Sequence, residues 1–142
     1  LAQNLAFYLI MNNTINLVCI IDDDPIYTFA VKKLMKMNAF SEQFLIFKNG
    51  KEALDGLTNL HKNKSTFPDL ILLDINMPIM DGWQFLDACK NISLDISSPL
   101  YMTSSSIDEK DKKKSKTYDM ITEYVEKPLT LDSLNKLVNQ KN

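Results

Sequence analysis

From Asn16 onward, short aliphatic runs alternate with patterns of helical period. Leu70 to Leu73 form an unbroken aliphatic run between Pro68 and a loop rich in Pro, Asp and Gly, which predicts a strand buried on both faces. Leu17 to Ile21, Gln43 to Phe47, Pro99 to Thr103 and Ile121 to Val125 read as four further strands. Asp24-Pro25 supplies an N-cap and a first helical proline, and Ile26, Ala30, Leu34 and Met37 predict the buried stripe of the helix that follows. Asn49 and Glu52 resemble a capping box, with Ala53, Leu54, Leu57 and Leu60 as that helix's apolar face. A third helix is expected over Trp83 to Asn91 with Phe85, Leu86 and Cys89 inward. A Lys-rich helix with a solvated face is expected over Ile107 to Thr117, and Thr130 caps a last one that buries Leu131, Leu134, Leu137 and Val138.

Strand and helix alternating in this way imply an α/β domain, a parallel sheet covered on both faces by right-handed crossovers. Alternation leaves the strand order open. At 142 residues the chain is expected to be a single domain. Residues 1–10 are apolar but lack a basic leader and fall short of the ~20 residues of a membrane span. Met11 followed by Asn12-Asn13-Thr14 is a more natural beginning, so residues 1–14 are set apart as an N-terminal extension and the domain is expected over 15–142. Removing the first ten residues is expected to leave thermal stability almost unchanged.

Composition narrows the function. The formal charge is −2 and every basic residue is Lys, so no guanidinium fork is available to read guanine, and no direct DNA binding is expected. Cys19 and Cys89, with His61 the lone histidine, make no zinc pattern; they read as small buried hydrophobes in a reducing, cytoplasmic compartment. His61 itself is expected to be solvated. Gly50, Gly56 and Gly82 cannot be arranged into a glycine-rich phosphate loop.

The chemistry gathers at the strand ends. Asp74 closes the third strand, and Asp22-Asp23-Asp24 follows the first. An Asp at a strand end often does no more than terminate it, but two adjacent strands would here bring several carboxylates into the crevice where open α/β sheets bind ligands. Like charges so close call for a hard divalent cation. Ser104 adds a neutral donor and Lys127 an ammonium, so the set fits Mg²⁺ and an anion, most plausibly a phosphoryl group.

Leu17-Val-Cys-Ile-Ile-Asp-Asp-Asp-Pro25, Asp69-Leu-Ile-Leu-Leu-Asp-Ile-Asn-Met-Pro-Ile-Met-Asp-Gly82, Ser104 five residues after Pro99, and Lys127-Pro128 together resemble the response-regulator receiver domain of two-component signalling, over about Asn16 to Asn139. The resemblance implies a chemotaxis-regulator-like, flavodoxin-like, doubly wound five-stranded parallel sheet of order 2-1-3-4-5. It makes Asp74 the acceptor of a phosphoryl group from a sensor histidine kinase or phosphotransfer protein. Asp23, Asp74 and the Asn76 main-chain carbonyl would bind Mg²⁺, with Asp22 helping through water. Lys127 would pair with phosphoryl oxygens, and Ser104 would donate its hydroxyl once the group is attached. Tyr124 occupies the position of an aromatic that turns inward when the hydroxyl moves. Ser105 and Ser106 leave the alignment loose by one residue, so Thr103 or Ser105 could be the working hydroxyl.

The implied function is a phosphorylation-dependent switch acting on a downstream protein, without a DNA-binding output domain, with a phosphorylation-dependent homodimer as one form of output. It is not expected to be an enzyme beyond self-phosphorylation and self-dephosphorylation. A haloacid-dehalogenase-like phosphatase is the competing reading; it would take Asp22 as nucleophile and gives Asp74 no role. A receiver fold used only for binding is a third, opposed by the complete acidic set and Lys127.

Overall fold

The computed structural model describes residues 15–106 and 108–141, so the extension expected over residues 1–14, and Ile107, lie outside the described residues. In chain order the elements are β1 (Val18–Ile21), α1 (Pro25–Met37), β2 (Phe44–Phe47), α2 (Gly50–Lys62), β3 (Leu70–Asp74), α3 (Gly82–Asn91), β4 (Leu100–Ser104), α4 (Glu109–Ser115), β5 (Glu123–Glu126) and α5 (Leu131–Lys141). The strands form one parallel sheet in the order β2-β1-β3-β4-β5, the doubly wound arrangement expected. Cys19 lies opposite Leu45 on one side and Ile71 on the other, and Asp74 lies opposite Thr103.

Strand residues alternate between two apolar layers, as a sheet buried on both faces requires. Val18, Ile20, Leu70, Leu72 and Tyr101 join Val31 and Met35 of α1 and Leu134, Leu137 and Val138 of α5. Cys19, Ile21, Ile71, Leu73, Leu100 and Met102 join Ala53 and Leu57 of α2 and Phe85, Leu86 and Cys89 of α3. Both cysteines are free and fully buried, and burial pushes the Cys89 thiol up to about 12. His61 is exposed.

Two expected helix faces are corrected. α1 buries Thr28, Val31 and Met35, with Tyr27 and Leu34 half-buried, whereas Ile26 and Met37 are 80% and 74% exposed and Ala30 is exposed too. The sheet-facing stripe is centred on Val31, and Ile26 lies on the outward side with Phe29. In α5, Leu131 is 43% exposed because it stands at the first turn, ahead of the point where the helix meets the sheet. The fifth strand begins at Glu123 because the Ile121 N–H closes a turn onto the Tyr118 carbonyl at 3.1 Å.

Local chemistry fixes the helix starts. Asp24 accepts from the Ile26 and Tyr27 N–H groups, and Asn49 accepts from the Glu52 N–H at 2.9 Å while the Glu52 carboxylate takes the Lys48 N–H. Asp81 and Gln84 form a reciprocal capping box at the start of α3. Gly82 lets that start lie on the end of β3: a Cβ there would sit 2.6 Å from the Asp74 carbonyl oxygen and 3.1 Å from the Ile75 Cα. The loop after Asp74 is thereby held against the strand that carries it, with the Gly82 N–H donating to the Ile75 carbonyl at 2.9 Å.

Candidate functional site

At the carboxyl ends of β1 and β3, Asp22, Asp23 and Asp74 each offer a carboxylate oxygen within 4.8 Å of the other two. Asp22 and Asp74 are buried, while Asp23 is exposed and opens the cluster to solvent. Lys127, from the loop after β5, brings its ammonium to 2.6 Å from Asp22 Oδ2 and 3.3 Å from Asp74 Oδ1. The other Asp22 oxygen accepts from the Asp24 N–H at 2.9 Å, so this carboxylate is held by both the loop that starts α1 and the loop that follows β5.

One ammonium faces three carboxylates, and the imbalance is visible in Asp74. Burial, then the charge of Asp22, raises its pKa from 3.8 to about 6 against the opposing pull of Lys127 and a hydrogen bond from the Asn76 backbone. A cluster of hard oxygen donors in which burial and mutual repulsion disfavour the charged form fits a hard divalent cation such as Mg²⁺.

The hydroxyl expected of a switch ends β4, the strand next to β3, and the expected aromatic lies on β5. Ser104, the last residue of β4, is buried and its Oγ accepts from the Ser106 N–H at 3.3 Å. Its carbonyl accepts the Lys127 N–H at 2.7 Å, joining the ends of β4 and β5. By strand alternation Ser104 shares the face of Met102, whereas Thr103 shares that of Tyr101. Ser105 is exposed. Tyr124 is half-buried and donates its hydroxyl to the Ser106 carbonyl at 2.9 Å. The ring of Tyr27, a residue that sequence patterning does not single out, lies under the Lys127 ammonium at 4.2 Å from its centroid. Nothing in the spacing of Tyr27 signals this, because the contact depends on where the loop after β5 lands.

A doubly wound sheet with an acidic crevice and a facing lysine at its strand ends defines a class of signalling domain. The family described as the response regulator receiver domain matches residues 18–139, and the chain belongs to it. It is 32% identical over 126 residues to a protein-glutamate methylesterase/protein-glutamine glutaminase of Methanococcoides burtonii, covering 85% of this chain and 32% of that protein. It is 31% identical over 124 residues to the sensor histidine kinase CheAY of Helicobacter pylori, covering 87% of this chain and 15% of that protein. The chain thus spans a third or less of the length of these curated relatives. Among solved structures, a two-component response regulator from Cytophaga hutchinsonii superposes with a TM-score of 0.82 at 33% identity, covering 90% of this chain and 97% of that one. Family membership removes the dehalogenase-like alternative. Among the described residues, no helix is long and apolar enough to cross a membrane.

Proposed function

We propose that this receiver domain is a phosphorylation-dependent switch in which Asp74 takes a phosphoryl group from a phosphohistidine of a sensor kinase or phosphotransfer protein, in the cytoplasm. The observation that carries the reading is the convergence of Asp22, Asp23 and Asp74 within 4.8 Å, with Lys127 against two of them. Asp23, Asp74 and the Asn76 carbonyl would hold Mg²⁺ directly, with Asp22 acting through water. Bound there, the ion supplies positive charge against the phosphoryl oxygens.

In the transfer an Asp74 oxygen forms the new P–O bond as the P–N bond to the donor imidazole breaks, and the departing imidazole nitrogen takes the bonding electron pair and a proton from solvent water. Attack by one anion on another is slow unless the charge is neutralised, and Lys127 is the chain's own cation at that point. The attached phosphoryl group carries roughly 1.5 to 2 negative charges where the Asp74 carboxylate carried one, so the end of β3 gains up to about one. Ser104, as the working hydroxyl, is drawn toward that charge and displaces residues 104–106, and Tyr124, hydrogen-bonded to Ser106, moves with them.

Incubation with Mg²⁺ and acetyl phosphate or a phosphohistidine donor is expected to add one hydroxylamine-labile phosphate per chain. Asp74→Asn should abolish it. Full labelling of that variant would refute the assignment, and labelling lost instead in Asp22→Asn alone would move the nucleophile.

A further inference from the structure

Lys127 is gripped on three sides: by Asp22, by Asp74 and by the face of the Tyr27 ring. We infer that Tyr27 is a positioning residue whose ring keeps the Lys127 ammonium over the crevice when the two carboxylates are engaged elsewhere. The inference rests on the proposed role of Asp74. Both carboxylates belong to the acidic cluster, where a hard cation seeks the same oxygens and Asp74 would carry the phosphoryl group. The aromatic face has no such competitor, since hard cations select oxygen ligands.

The geometry suits the task. A lysine hangs on a flexible four-carbon stem and has many places to put its charge. Tyr27 by contrast sits on a rigid element, in the first turn of α1 behind Pro25, with its N–H donated to Asp24 Oδ1 at 3.3 Å and its ring packed against the α1/α5 apolar layer. The Lys127 side chain is only 14% exposed, and attraction between an ammonium and a ring strengthens when water is kept away. The Tyr27 hydroxyl is buried and lies beside the Thr103 side chain without meeting ordinary hydrogen-bond geometry. The contact with Lys127 is made by the ring face. A residue that merely filled space here would be replaceable by any apolar side chain of like volume.

The test compares Tyr27→Phe, Tyr27→Leu and Tyr27→Met in the full chain. Phosphorylation by acetyl phosphate at saturating Mg²⁺ should fall about tenfold in the Leu and Met variants and stay within about twofold in the Phe variant. In proton NMR of the unmodified protein, the Lys127 ε-methylene resonances should be displaced upfield by the ring, keep that displacement in Tyr27→Phe and lose it in Tyr27→Leu. Placed in a Lys127→Ala background, Tyr27→Leu should cost nothing further. Absence of the upfield displacement in the parent protein, an unchanged rate in both the Leu and Met variants, or an undiminished penalty without Lys127 would each overturn the inference. Labelling that survives Asp74→Asn would instead overturn the phosphoacceptor reading, so the two failures are distinguishable.

Discussion

Asp74 is buried and lies beside a second carboxylate, both of which oppose its charge, and this sets how the domain's stability depends on pH. Its pKa is raised from 3.8 to about 6, so between those values the folded chain binds more protons than the unfolded one. Stability in the absence of metal therefore falls as pH rises through that window, and the cost is complete above it. The cost is on the order of 1–3 kcal/mol. Asp74→Asn, which keeps the shape and removes the charge, should raise the urea midpoint at pH 7.5 in EDTA and make little difference at pH 4; an equal gain at both would show that charge is not the cause. These carboxylates and Lys127 were readable in the sequence because each sits at or just beyond the end of a strand, and strand ends follow from apolar runs. Tyr27 was not, since its partner lies a hundred residues away on a loop whose landing point no local pattern encodes.

Elements were legible to the extent that only one face of each was apolar. α3 met expectation because Phe85, Leu86 and Cys89 offer a single candidate stripe, and all three are buried. α1 carries apolar residues around most of its circumference, so periodicity admits two stripes, and the cap at Asp24 with the position of β1 selects the one centred on Val31. The start of α3 supplies a prediction whose sign is decisive. Helix propensity alone favours Gly82→Ala by about 1 kcal/mol. The contact a Cβ would make, 2.6 Å from the Asp74 carbonyl, is with backbone that cannot yield cheaply, and overpacking of this kind costs about 1–3 kcal/mol. Gly82→Ala should lower the urea midpoint and slow phosphorylation of Asp74. A stabilised variant would mean that the loop after β3 gives way.

For the molecule as a whole, helix and strand alternation was enough to specify a parallel sheet with helices on both faces, while the order β2-β1-β3-β4-β5 came only through the family's motifs. That order puts β1 and β3 side by side and so brings Asp22 and Asp74 into one crevice. It also puts β4 and β5 at the far edge, where Tyr124 reaches Ser106. Tyr124→Ala should take up phosphate at the parent rate while the change in amide exchange over residues 104–106 on phosphorylation shrinks. An undiminished exchange response would assign the ring to packing alone. The Lys127 N–H bonded to the Ser104 carbonyl adds a constraint of its own. Any excursion of Ser104 must either stretch that tie or drag the lysine's anchor along with it. Under the proposed function, message and chemistry are thus geared together: a domain wired this way would not broadcast its state without also retuning how readily that state is written and erased.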